Sequence, residues 1–159
     1  MNKNICTRKS QSSILTISTT QGRNKALESY PIDINVKTIQ TVGKLHLACI
    51  KRLTGIEFPV AEVQIYPGAI KHIKRNHPGI LEQYGHLIPD MIANPDYVGK
   101  NPTEPDSIEL VKVVTASLLL AIKLDPSGYL YVSSFYDLHN AAVKLQKRLK
   151  SGRWVPFQP

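Results

Sequence analysis

Three apolar, β-rich runs crowd the second half of the chain, at 108–115, 118–124 and 129–136. Connections this short favour strands that return antiparallel to one another. Asp125, Pro126, Ser127 and Gly128 fill the second gap with turn-forming residues. An antiparallel meander is therefore the expected centre of the fold. Strand parity then sorts its residues. In the first run Ile108, Leu110, Lys112 and Val114 share a face, which sets Lys112 beside three apolar side chains. It is either snorkelling at the sheet rim or held over a site. In the third run Leu130, Val132, Ser134 and Tyr136 share one face, and Tyr129, Tyr131, Ser133 and Phe135 the other. Ser134 and Tyr136 read as a polar pair at a cleft or, more simply, as a strand end before a helix.

Ahead of the meander the periods alternate. Ile32, Ile34 and Val36 predict a strand beginning near Pro31, and Gly43 breaks it. Leu45, Ala48, Cys49 and Leu53 predict a helix over 44–54, with Gly55 as its C-cap and His46 in a structural or surface role. A short strand over 60–66 leads to Pro67, which suits the first position of a helix running to about 76. Ile80, Leu81, Tyr84, Leu87 and Ile88 predict a second helix, which Pro89 either kinks or ends by starting a new turn. Asn94, Pro95 and Asp96 stop it, and an extended pair, Tyr97 and Val98, precedes a loop. After the meander, Asp137 is placed to cap a closing helix with Leu138, Ala142, Leu145 and Leu149 inward; Gly152 ends it. The segment 153–157 is expected to pack back on the sheet. Residues 1–28 read as a polar, flexible tail with one marginal strand, leaving 29–159 as the domain. The expected class is α+β: helices first, about four antiparallel strands, and a C-terminal helix.

The chain carries 20 Lys and Arg against 12 Asp and Glu, a net charge of +8. That balance favours nucleic acid or an anionic membrane surface as partner. No apolar run approaches the ~18 residues of a membrane span, and the N-terminus lacks a signal-like apolar core, so a cytoplasmic protein is expected. Cys6 and Cys49 match neither a zinc spacing nor a CxxC redox motif.

The chemistry concentrates in residues 71–78, KHIKRNHP. Ile70 and Ile73 fall on one face of the predicted helix, while Lys71, His72, Lys74 and Arg75 spread over the rest. His77, before Pro78, falls at its C-terminal end. A pair of surface histidines on a basic helix is the plain reading. Zinc is disfavoured, because histidines five apart diverge by ~140° on a helix and no further ligand stands at the right spacing. HExxH, GxSxG, Walker and Rossmann patterns are absent. No metal or cofactor is expected.

What fits this inventory is metal-free cleavage of RNA. A 2′-hydroxyl attacks the adjacent phosphorus, so the reaction needs a base, an acid and cations. His72 or His77 would be the base or acid. Lys74, Arg75 and Lys112 would stabilise the phosphorane charge. Ser134 and Tyr136 would position the phosphate, and Lys71, Arg148 and Arg153 would bind backbone phosphate. Tyrosines can stack on splayed bases.

The order of strand, KHIxxxH helix, helix ending in NPDYV, LVK strand, apolar strand, VSSxY strand and KLxxRxxxGR helix resembles the barnase–EndoU–colicin–RelE nuclease superfamily. It looks closest to the branch of phages and integrative elements. The resemblance spans about 31–153. It implies a helical start, a four-stranded antiparallel sheet and, in many members, metal-free RNA cleavage. The tRNA-cutting colicins of this superfamily carry a Lys-x-x-His element on the helix side and a Ser-x-aromatic element on the sheet. Lys74 to His77 and Ser134 to Tyr136 are similar to these, with Tyr in place of Trp. The expected protein is thus an endoribonuclease acting on RNA, tRNA included, as a toxin or mobile-element effector with an immunity partner. The rivals are a non-catalytic nucleic-acid-binding module of a phage or integrative element and a structural or interaction protein.

Overall fold

Leu119, at the middle of the meander, stands opposite Val111 on one side and Tyr136 on the other. The computed structural model that gives these pairings describes residues 30–159. The segment 1–28 and its expected strand lie outside the described residues. In chain order the elements are β1 (Gln40–Lys44), α1 (Leu47–Thr54), β2 (Glu62–Ile65), α2 (Pro67–Asn76), α3 (Ile80–Tyr84), a 3-10 turn (Gly85–Leu87) and α4 (Ile88–Ala93). They continue with β3 (Tyr97–Lys100), β4 (Ser107–Val113), β5 (Ser117–Leu124), β6 (Leu130–Asp137), α5 (Ala141–Lys150) and β7 (Trp154–Pro156).

The α+β class and the antiparallel meander β4–β5–β6 are as the sequence implied, but the sheet has seven strands rather than four. Its order is β1-β2-β6-β5-β4-β3-β7. The short extended pieces 60–66, 97–98 and 153–157 all found partners and became β2, β3 and β7. Only β2 and β6 run parallel; the other neighbours are antiparallel. No described helix is long and apolar enough to cross a membrane.

Two layers cover the sheet. On one face Leu110, Leu118, Leu120, Ile122, Leu130, Val132 and Phe135 form the main core with Ile50, Ile70, Ile73, Ile88 and Met91 from the helices. On the other face a smaller cluster joins Val111, Leu119, Ala121, Leu138 and Trp154, with Leu145 and Leu149 of α5 packed on it. β5 is buried on both faces through its first six residues. That explains why its sequence is a continuous apolar run rather than an alternation.

Several local signals behave as their chemistry demands. Gly55 caps α1 at φ 76, and the His46 imidazole accepts the Cys49 N–H at the other end. Pro89 begins a new helix, α4, after the 3-10 turn. Other expectations fail for identifiable reasons. The alternation of Ile32, Ile34 and Val36 does not make a strand, because the Gln40 side chain bonds both the N–H and the carbonyl of Asp33 at 2.8 Å. Those bonds occupy the backbone groups a ladder would use, and β1 begins only at Gln40. Asp137 ends β6 instead of capping the last helix; Asn140, in the left-handed region at φ 53, precedes α5. The shifted start leaves Ala142 exposed and brings Ala141 to the cluster.

Gly99 of β3 pairs with Trp154 of β7. A Cβ there would run into the Arg153 carbonyl and lie 2.6 Å from Trp154 Cδ1. Backbone of an adjacent strand cannot yield without breaking the pairing. Gly99→Ala should therefore cost about 1–3 kcal/mol, read as a lower urea midpoint, and an unchanged midpoint would mean β7 is free to shift.

Candidate active site

β2 meets β6 only through Val63–Leu130 and Gln64–Tyr131. Beyond Tyr131 no described strand pairs with β6 on that side. Helix α2 follows β2 after one residue, packs on β6 and takes the vacant place. The helix forms there for local reasons. Pro67 pre-sets its first turn, Ile70 and Ile73 bury in the main core, and Lys74 and Arg75 lie at the negative end of its dipole. His77 closes it, its N–H donating to the Ile73 carbonyl at 2.8 Å, and Pro78 prevents continuation.

The second determinant is a bulge. Ala121 faces Ser134 while Ile122 faces Val132, so Ser133 is an extra residue in β6. A bulge reverses the side-chain alternation beyond it. Leu130, Val132 and Phe135 therefore all enter the main core, whereas Ser134 and Tyr136 turn to the opposite face. The sequence parity that grouped Ser134 and Tyr136 with Leu130 and Val132 is corrected by this one residue. Their shared face is kept; it is the face of α5 and Trp154.

Helix and strand then run side by side. His72 and Ser133 line a common pocket, and further along the His77 ring stacks on Tyr136 with centroids 5.1 Å apart and planes 18° from parallel. Five helical residues rise ~7.5 Å and three strand residues ~10 Å, so the two levels match. Asn76 Nδ2 lies 3.1 and 3.0 Å from the His72 ring nitrogens.

Behind Tyr136 stands a charged frame that the sequence did not suggest. Glu109, only 5% exposed, sits on β4 between the core residues Ile108 and Leu110. Its carboxylate accepts Arg153 Nη2 at 2.8 Å and Nε at 3.3 Å, and Trp154 Nε1 at 2.7 Å. The Arg148 guanidinium lies over the Trp154 ring, 4.5 Å from its centroid. Burial raises the Tyr136 pKa and the Glu109 charge raises it further, while Arg148 and Arg153 pull it down. At neutral pH the phenol therefore keeps its proton, with its ring stacked on the His77 imidazole and the Arg148 and Arg153 charges acting on it. The signal for Glu109 was its place in a β-rich run, one acid between two apolar residues.

The remaining candidates lie elsewhere. Lys112 shares its face with Leu118 of the main core and is bound by Asp90 at 2.7 Å and the Asn94 carbonyl at 2.8 Å. It anchors α4 on the face opposite Tyr136. Lys74 donates to the Ile34 carbonyl at 2.9 Å and so ties down the segment before β1. Lys71 and Arg75 are exposed on α2. Among the described residues no group of three or more His, Cys, Asp or Glu gathers as a metal site.

A family model described as phage-Barnase-EndoU-ColicinE5/D-RelE like nuclease3 matches residues 40–144, from the start of β1 into α5. The chain belongs to this nuclease family. No curated protein and no solved structure matches it significantly. In this nuclease the matched span contains His72, His77, Glu109, Ser134 and Tyr136, and it stops before Arg148 and Arg153.

The buried phenol offers a pH test. An unfolded tyrosine titrates near ~10. Since the folded value of Tyr136 is higher, its contribution to stability is complete below pH ~10 and is lost as pH rises through the folded value. Between about pH 9 and about pH 11 the wild type should lose more stability in urea than Tyr136→Phe. Equal losses would show that the hydroxyl is not held.

Proposed function

We propose that this nuclease is an endoribonuclease that cuts RNA without a metal ion, through attack of a ribose 2′-hydroxyl on the neighbouring phosphorus. The observation that carries the reading is the stack of His77 on Tyr136 where α2 runs along β6. An imidazole, a neutral phenol and two arginines then bear on one region of the sheet, and this is the set of groups the reaction requires. One of His72 and His77 takes the 2′-hydroxyl proton and the other protonates the departing 5′-oxygen. Tyr136 and Ser134 hold a phosphate oxygen, while Arg148 and Arg153 supply positive charge as the phosphorane forms. Lys71 and Arg75 follow the RNA backbone along α2. Structured RNA, tRNA first, is the substrate class, and a cytoplasmic toxin or mobile-element effector restrained by an immunity protein is the role this implies.

The test is incubation of the full chain with total tRNA and other RNA in excess EDTA, beside His72→Ala and His77→Ala. Fragments ending in 2′,3′-cyclic phosphate are expected, with His77→Ala slower by about 10²-fold or more. Cleavage that appears only after a divalent ion is added would overturn the metal-free mechanism. Salt-sensitive binding with no product from any RNA would point to a binding module instead.

A further inference from the structure

The pocket that His72 and Ser133 line is an open aromatic recess of about 480 Å³. Tyr66, Tyr129 and Tyr131 bound it, with Ala69, Val132, Lys123 and Asp125 also in its wall. We propose that this recess is a stacking subsite for one unpaired nucleobase of the RNA, next to the cleaved phosphate. The proposal deepens the ribonuclease reading and rests on it for the position of the phosphate.

The geometry favours a flat aromatic guest. Tyr66 and Tyr129 have centroids 5.5 Å apart at 42°, Tyr66 and Tyr131 6.2 Å at 85°, and Tyr129 and Tyr131 6.2 Å at 57°. No pair lies flat, so no two of the rings cover one another face to face. All three side chains are only partly buried and line a concavity. Isolated tyrosines packed as ordinary core would bury those faces.

The polar rim indicates how a base would be read. Tyr66 donates to Gln64 Oε1 at 3.1 Å. Interactions with Tyr66 and Asp125 drive the Tyr129 pKa far up. Asp125 in turn accepts the Ser127 N–H at 2.8 Å, and that bond holds its carboxyl below the usual range. Lys123 is paired with Glu104 at 2.6 Å. The rim groups thus satisfy each other and orient the rings, leaving π surface rather than hydrogen-bonding edges for a guest. Such a site accepts any base, purine or pyrimidine, by stacking. The occupant is a base of a charged strand rather than a free apolar molecule, because His72 lines the same pocket and the chain carries +8.

The test uses the full chain and a fluorescent 2′-O-methyl hexanucleotide, which has no free 2′-hydroxyl and cannot be cut. A second hexamer carries the same backbone with abasic residues. The base-bearing oligomer should bind more tightly. Tyr131→Ala should weaken it about 5- to 100-fold, the size of one base–aromatic stack, and leave abasic binding unchanged. Tyr131→Phe should retain wild-type affinity, which separates stacking from misfolding. Equal binding of the two oligomers by the wild type, binding of neither, or equal weakening of both by Tyr131→Ala overturns the subsite. Since no cleavage is read, a failure of the ribonuclease reading would show separately, as intact natural RNA.

Discussion

A single extra residue in β6 reconciles the core with the site. Without the Ser133 bulge, strict alternation after Val132 would aim Ser134 and Tyr136 into the main core and turn Phe135 out. Burying a hydroxyl and a phenol among aliphatic groups without partners costs several kcal/mol (~2–7 kcal/mol for each such polar group). The bulge lets Phe135 fill the core and gives the polar pair to the other face. The placement of Ser134 and Tyr136 proposed for this nuclease follows from that shift in register.

The other half of the arrangement comes from an incomplete strand pairing. β2 is four residues long and covers only the start of β6. An unpaired edge is a template for aggregation unless something covers it. Here α2 covers it with Ile70 and Ile73 inward, so the residues between and beyond them, His72 and His77, are set along the strand. Edge protection and active-site placement are one event. On the far side Glu109 gathers Arg153 and Trp154, Trp154 carries Arg148, and Tyr136 stands between this frame and His77. A buried carboxylate with three N–H donors keeps its charge at little cost, which holds the arginines in place rather than leaving them to solvent.

Much of the fold was legible because its signals are local. Pro67 and the Ile70/Ile73 spacing marked α2 to the residue, Gly55 marked the end of α1, and the turn at 125–128 joined two runs of obvious β character. Expectations failed where a side chain competed with the backbone, as Gln40 does at Asp33, or where strand count depended on distant partners. The alternation at 60–66 announced β2, but β3 and β7, of four and three residues, become strands because neighbours complete their ladders.

By itself the sequence determined which residues prefer helix, strand or turn, the excess of positive charge, and the set of histidines, tyrosines and arginines available for chemistry. Those follow from covalent geometry, hydrophobic period and composition, which each residue carries with it. The tertiary structure alone decided which of them meet: that Tyr136 faces His77 and not the core, that Lys112 belongs to Asp90, and that Glu109 lies beneath Arg153 and Trp154. Those outcomes depend on a one-residue change of strand register and on pairings between segments more than twenty residues apart. Strand parity has a period of two, so one inserted residue reverses every assignment beyond it.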